Sequence, residues 1–377
     1  MVILFYGTGA ELIKMVGVIQ RIPRSEMLLI STSQQHAGLQ KVHKQLGIYP
    51  DIELSNGWFG KDVVTMAQML GMMIRTHAKF LQVLIPLRRR IRQHDKQHHT
   101  RSVAVVHGDT LSTVVGCYFG KALGLKIAHV EAGLRTHDWR TPFPEEIDRR
   151  IAAKFARLHY PPSETAEKDL REEKVKGEIV NTKYNTAKDA IEQSSSFLSD
   201  NFANLSLPKH YCLVLLHRTE LIESKKDLEV ILKVIHDHAS KKTPVVFTEH
   251  STTQEKIKAY GFEHYLKKEG LKVIHKQPYF DFMEIVRNSD YIVTDGGGLQ
   301  EDAYFLSIPT IVHRERTERQ DGLGFNAELS RFDAANVAKF LKNHKDKKDL
   351  RREISDISPS QIVVDDLKQR HFFTTTE

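Results

Sequence analysis

Cysteine is scarce in this sequence. Only Cys117 and Cys212 occur in 377 residues, and neither belongs to a CxxC pair. A disulfide framework and a four-cysteine zinc site are both excluded, and a reducing compartment, the cytoplasm, is expected. Long apolar runs are missing too. None approaches the roughly 18 residues of a membrane span. The opening residues, Met1 to Gly7, carry no basic start or small-residue cleavage site, so they are expected to form a buried strand rather than a leader. Tryptophan is rare, and no zinc-finger spacing or aromatic RNA-binding motif is present, so nucleic acid is not an expected partner. The chain has 20 histidines but no HExxH pattern, and no metal or other cofactor is expected.

What is present is ordinary globular composition, 40% hydrophobic and 27% charged, with a formal net charge of +7. The length exceeds what one compact core usually supports, so two domains are the starting expectation. The positive balance suits an acidic ligand such as a phosphorylated small molecule. The basic run from Arg88 to Arg101 reads as a solvated helix end, the usual fate of like charges in a block.

Short apolar runs at 2–6, 27–30, 103–106 and 126–130 alternate with helix-length segments at 11–20, 61–92 and 111–123. Strands alternating with helices imply a parallel sheet with right-handed crossovers. A polar stretch without helical period follows at 174–185, and the interdomain connection is expected around 180–200. The alternation then restarts. Strands are expected at 211–216, 244–248, 272–275, 291–294 and 310–312, with helices at 226–238, 254–260, 280–287 and 299–306. The expected fold is α/β, two Rossmann-like domains facing across a cleft. Residues 1–185 form the first domain and 186–377 the second, with a last helix near 360–370 that could rejoin the first.

Ligands of open α/β sheets bind beyond the carboxyl ends of the strands, so residues just after each strand carry the most information. Gly7, Thr8 and Gly9 follow the first strand and read as a tight turn or a phosphate approach. His107, Gly108, Asp109 and Thr110 follow the third, where Asp109 reads equally as a helix cap. Glu131 ends an apolar strand, a costly place for a charge without a partner or a task. Glu145 opens a helix after Pro144 and shares a face with Arg149, four residues on. Three carboxylates, Asp109, Glu131 and Glu145, following neighbouring elements can divide acid and base roles. In the second half His217 ends a strand, and Gly296, Gly297 and Gly298 precede a helix, which suits close approach of an anion. Arg314, Arg316 and Arg319 follow the last strand, where a planar fork can grip phosphate.

Taken in order, 107–110, 129–135, Pro-Glu-Glu-x-x-Arg at 144–149, His217-Arg218, Asp-x-Gly-Gly-x-Gln-Glu at 295–301 and 317–319 resemble the signatures of the UDP-N-acetylglucosamine 2-epimerase family. The likeness runs from about Gly7 to Arg319. It implies a GT-B-like pair of Rossmann domains, a UDP-sugar substrate, a homodimer and a place in the supply of cell-surface polysaccharide precursors. By position it implies that Asp109, Glu131, Glu145 and His217 are catalytic. It further implies that Lys14, Arg149, His250, the glycines 296–298, Asp302 and Arg319 contact substrate. The sequence also departs from the family. The first loop reads Gly-Thr-Gly-Ala-Glu instead of Gly-Thr-Arg-Pro-Glu, so an active-site arginine is replaced by Gly9. Gly296 stands where a serine is usual. Gln35, His36, Ala37 and Gly38 replace a stretch that, in non-hydrolysing members, helps bind a second substrate molecule. The glycine before Asn185 is Tyr184.

Overall fold

The computed structural model describes residues 1–57, 59–60, 66–137, 144–200, 202–317, 319, 321–343 and 356–374. Residues 61–65 of the expected helix at 61–92, Pro142 and Phe143 before Glu145, and Glu318 lie outside this set.

The chain divides into two compact units, Met1–Glu192 with Asp356–Glu377, and Gln193–Ser355. Among the described residues the first unit holds a seven-stranded sheet. Its strands are β1 (Val2–Tyr6), β2 (Met27–Ser31), β3 (Ile52–Glu53), β4 (Val103–His107), β5 (Lys126–Val130), β6 (Leu158–Tyr160) and β7 (Glu178–Ile179). They lie in the order β3-β2-β1-β4-β5-β6-β7, and every pairing is parallel. Both faces are covered, as parallel sheets require. Val2, Leu4 and Tyr6 turn to one core with Leu29, Val105 and Val130. Ile3 and Phe5 turn to the other with Leu28, Ile30, Ala104 and Val106. Period-2 geometry therefore fills two cores from strands that read as unbroken apolar runs.

The second unit holds six strands among its described residues. They are β8 (Cys212–Leu215), β9 (Val245–Thr248), β10 (Leu271–Ile274), β11 (Tyr291–Thr294), β12 (Thr310–Val312) and β13 (Ala327–Leu329). The order is β10-β9-β8-β11-β12-β13, again all parallel. In each sheet the strand order reverses beside the first strand, between β1 and β4 and between β8 and β11. Those two points are where an open α/β sheet offers a crevice at its carboxyl edge.

Four strands, β3, β6, β7 and β13, are not foreseen by apolar runs. Each has only two or three residues, too few to show a period. The stretch expected as a connection contains the helix Ala187–Glu192, which belongs to the first unit, so the division falls after Glu192 rather than Asn185. The helix Pro359–Gln369 belongs there too, sending Val363, Val364 and Leu367 into the first core. Gly17 lets these helices close on the helix Gly9–Arg21. A Cβ at Gly17 would stand 2.5 Å from Ser360 Oγ and 3.0 Å from Asp189 Cβ. The Ser360 amide donates to Asp189 Oδ2 at 2.8 Å and fixes the contact. No described helix is long and apolar enough to cross a membrane.

Candidate active site

At the switch point of the first sheet, the loop after β1 is locked to the loop after β4. Thr8 caps the helix Gly9–Arg21 in a capping box with Glu11. Glu11 accepts from the amides of Gly7 at 2.9 Å and Thr8 at 2.8 Å, and its other oxygen accepts from Thr110 Oγ1 at 2.8 Å. Burial pushes the Glu11 carboxyl up, while the Gly7 amide works the other way. Gly9 is crowded. A Cβ there would stand 2.9 Å from Val42 Cγ2, so the place of the family's arginine is closely bordered by the helix His36–Leu46.

Glu131, immediately after β5, is buried and adopts φ +62°, a left-handed conformation uncommon for a residue with a Cβ. Its carboxylate is held on two sides. Lys14 Nζ donates to Oε1 at 3.0 Å and to Oε2 at 2.7 Å, and His107 Nε2 lies 3.1 Å from Oε2. Lys14 comes from the helix Gly9–Arg21 and His107 ends β4, so three elements meet at this carboxylate. Beneath it, His129 is fully buried and its Nε2–H donates to the Gly108 carbonyl at 2.7 Å. Burial pulls this imidazole down to about 3, so it stays neutral and serves as a fixed donor. The Gly108 amide donates in turn to the Val130 carbonyl at 3.0 Å, which fixes the turn that presents Asp109.

Arg149 grips Asp109 by one oxygen, from Nε at 2.9 Å and Nη2 at 2.6 Å. It also reaches the fully buried Glu146 from Nη1 at 3.3 Å. The helix-face pairing of Glu145 with Arg149 is therefore replaced by Asp109 and Glu146. Glu145 Oε2 is buried and makes no hydrogen bond among the described residues. Asp148, one turn into the same helix, is pushed up to about 7, chiefly by burial and then by the charges of Asp109 and Glu145. Asp109, Glu145, Asp148 and Arg149 thus share one electrostatic neighbourhood, and Glu131 with Lys14 and His107 forms another at the end of the adjacent strand.

At the switch point of the second sheet, Asp295 is fully buried after β11 and accepts from the amides of His217 at 2.9 Å and Arg218 at 2.8 Å. His217 Nδ1 lies 3.2 Å from Asp295 Oδ1, so one aspartate fixes both the backbone and the ring of the strand-end histidine. His250, the residue before the helix Ser251–Tyr260, places its ring 5.4 Å from that of His217, and burial lowers its pKa. Gly296 precedes the helix Gly297–Phe305. A Cβ on Gly296 would stand 2.7 Å from His217 Cε1, whereas one on Gly298 would meet nothing within 4 Å. Arg319 lies beside the helix with Nη1 3.1 Å from Glu301 Oε1, and its backbone is held by Gln300, whose Nε2 donates to the Arg319 carbonyl at 3.1 Å. Asp302, on the same helix, stands near the half-buried Tyr279, whose hydroxyl is pushed up by burial first and then by Asp302 and Glu301.

Sequence reasoning did not single out Glu11, His107, Asp148 or Asp295. Asp295 follows a strand just as Asp109 does, and that position was a readable signal. Asp148 stands at a variable position of the motif at 144–149, and only the packing shows its isolation.

Other proteins share the sequence and the fold of this chain. A family model described as UDP-N-acetylglucosamine 2-epimerase matches residues 18–361. A curated relative, the UDP-N-acetylglucosamine 2-epimerase of Methanococcus maripaludis, is 28% identical over 355 residues, covering 90% of this chain and 91% of that protein. The solved UDP-GlcNAc 2-epimerase of Methanocaldococcus jannaschii shares the fold with a TM-score of 0.76 at 24% identity, covering 98% of this chain and 99% of that one. The Neisseria meningitidis enzyme, solved bound to UDP-GlcNAc, gives a TM-score of 0.76 at 22% identity, covering 98% and 99%. With the family model spanning most of its length, this chain belongs to the UDP-N-acetylglucosamine 2-epimerase family.

Proposed function

We propose that the chain inverts C2 of UDP-N-acetylglucosamine, giving UDP-N-acetylmannosamine by elimination and re-addition of UDP. The observation that carries this reading is the set of carboxylates at the carboxyl edge of the first sheet, where Lys14 holds Glu131 and Arg149 holds Asp109. In the α-linked gluco sugar, the C2 hydrogen and the diphosphate lie on opposite faces. The C1–O bond breaks with its electron pair leaving on the diphosphate, and a carboxylate takes the C2 proton, leaving a C1–C2 double bond. Proton return to the other face of C2, with diphosphate re-addition at C1, gives the manno epimer. Two faces need two acid–base groups. We assign Asp109 and Glu131 to them, with Glu145 and His217 positioning the leaving diphosphate. Lys14 and Arg149 hold those carboxylates in place.

In the second unit we assign the diphosphate to the helix N-terminus at Gly296, Gly297 and Gly298 and to Arg319, with Asp302 and His250 completing the nucleotide contacts. Exposed amides at a helix start and a planar guanidinium both suit developing negative charge. A homodimer and a cytoplasmic location, in keeping with two free buried cysteines, belong to the same proposal.

One feature favours a second outcome, hydrolysis to free N-acetylmannosamine and UDP. The arginine position is Gly9, with Val42 packed beside it, and residues 35–38 depart from the pattern of non-hydrolysing members. The test is to incubate the protein with UDP-N-acetylglucosamine in deuterated water and follow it by NMR. Deuterium at C2 with the UDP-sugar retained is the expected result. Free sugar with UDP selects hydrolysis. An unchanged substrate overturns both and leaves a glycosyltransferase or a nucleotide-sugar binding protein.

A further inference from the structure

The carboxyl edge of the first sheet holds the proposed reaction groups, but a second cluster of ionisable side chains lies at its opposite, amino edge. Glu26 immediately precedes β2, and His94 and His98 lie in the last turns of the helix Met66–His98, which leads toward β4. The two histidines are four apart, so they share a helix face, and their rings stack with centroids 4.4 Å apart. His94 Nε2 lies 3.4 Å from Glu26 Oε2, and His98 Nδ1 lies 3.6 Å from Glu26 Oε1. One ligand atom from each of the three residues falls within 4.8 Å of the others.

These spacings are long for hydrogen bonds between imidazole and carboxylate, which close to about 3 Å. Both nitrogens of His94 and Oε2 of Glu26 are buried without a hydrogen-bond partner. The distance from His94 Nε2 to Glu26 Oε2 fits a shared ion instead. Ligands about 2.05 Å from a tetrahedral zinc ion stand roughly 3.4 Å from one another. Buried polar atoms that are unpaired are costly, and a cation beside them would satisfy Glu26 Oε2 and the facing nitrogen of His94 at once.

We propose that Glu26, His94 and His98 form a binding site for a divalent transition-metal ion of the zinc type, with a fourth position left for water. Two imidazoles and one carboxylate are a borderline-soft donor set, which suits zinc or cobalt better than magnesium or calcium. The site's surroundings indicate a structural task. The Met1 amine, 4.0 Å from Glu26 Oε2, donates to the Phe372 carbonyl at 2.6 Å, and Thr374 Oγ1 donates to Glu26 Oε1 at 3.3 Å. Asp95 accepts from the Ser102 amide at 3.1 Å and its hydroxyl at 2.7 Å. A metal here would fasten the start of β1, the entry to β2, the end of the long helix and the segment that follows the helix Pro359–Gln369. The amine is a competing cation, but it is also held by the Phe372 carbonyl.

The test uses the full chain freed of metal by chelator and then titrated with zinc chloride by calorimetry. One strong equivalent is expected, with a thermal midpoint raised by a few degrees, as preferential binding to the folded state requires. The pair His94→Gln, His98→Gln should weaken that equivalent at least tenfold and abolish the rise. Full-strength binding in a folded double variant, or none in the parent chain, overturns the site. Should the double variant not fold, the visible spectrum of the cobalt-loaded parent chain decides. Intense low-coordinate bands support nitrogen–carboxylate ligation, and the spectrum of the hexaaquo ion overturns it. Turnover of UDP-N-acetylglucosamine should survive chelation within about twofold. Loss of turnover would move the metal to the reacting groups and overturn a structural role.

Discussion

Among the described residues, the crevice beside β1 and β4 gathers the carboxylates Glu11, Asp109, Glu131, Glu145, Glu146 and Asp148, with Lys14 and Arg149 to balance them. The crevice beside β8 and β11 has one buried aspartate, and its charge is spent on backbone amides and a histidine ring. The strand order around the two crevices is the same, the first sheet carrying one further strand, β7. In the function we propose, the first moves protons, with acids that differ in their surroundings. In the same proposal the second receives the anion, at a helix that begins with glycines and has Arg319 nearby. On this proposal, what separates the two tasks is the residues that follow two strands in each half.

Neutralising the acids of the first crevice gives the largest expected effect. Asp109→Asn and Glu131→Gln should each lower C2 deuterium exchange by about 10² or more while UDP affinity stays nearly intact. Exchange at the parent rate in both variants would remove the proton-transfer task from this crevice. In the second crevice, Asp295→Asn removes a charge that three close contacts depend on. Unfolding in urea should show a loss of roughly 1.5–3 kcal/mol, the range for hydrogen bonds to charged groups. A loss below about 0.5 kcal/mol would mean that this aspartate does not fix His217. Arg319→Ala should weaken UDP binding by a similar amount, roughly 1.5–3 kcal/mol by calorimetry. Unchanged affinity would take the diphosphate away from this helix.

Asp148 sharpens the contrast through pH. Its folded-state value, about 7, lies above the ordinary carboxyl range. Between about pH 4 and 7, the folded chain keeps a proton that the unfolded chain has released. This group's contribution therefore falls as pH rises across that window and is level above it. Asp148→Asn should match the parent near pH 4 and exceed it in stability above pH 7, on the order of 1 kcal/mol after allowance for screening. Urea midpoints at pH 5 and pH 8 measure this. Equal differences at the two values would show that Asp148 is not isolated among its acids.

Much of this contrast was legible in the sequence. Glu131 stood out because a charge at the end of an apolar strand demands an explanation, and the glycines before the helix Gly297–Phe305 announced a close approach. The long strands were readable because both their faces are buried and they run apolar without interruption. The edge strands β3, β7 and β13 were not, since two or three residues carry no period. The partners were hidden for a different reason. Lys14 and Glu131 are 117 positions apart, and His217 and Asp295 are 78 apart, so only the sheet order brings them together. The same holds for Glu26 with His94 and His98. The i,i+4 histidines are visible in the sequence, but the carboxylate comes from another element.

The smallest effect tests how tightly the second crevice is built around its glycine. Gly296 has φ −99°, which any residue can adopt, so backbone strain does not require glycine here. Space does, because the new Cβ would stand 2.7 Å from His217 Cε1. The ring is the movable end of a side chain, and it should yield by rotating away from Asp295. Serine would meanwhile cap the helix Gly297–Phe305 better than glycine, by a few tenths of a kcal/mol. Gly296→Ser should therefore change stability by less than about 0.5 kcal/mol and gain at most about 1 kcal/mol in UDP affinity through its hydroxyl. Turnover should fall, because the displaced imidazole no longer sits where Asp295 holds it. A His217→Ala background removes the collision and separates these contributions. There the serine should give its full capping gain, so the two changes are non-additive in stability. Strict additivity in urea unfolding would show that positions 217 and 296 do not touch, and the place of the family's serine would then be open for a reason other than this histidine.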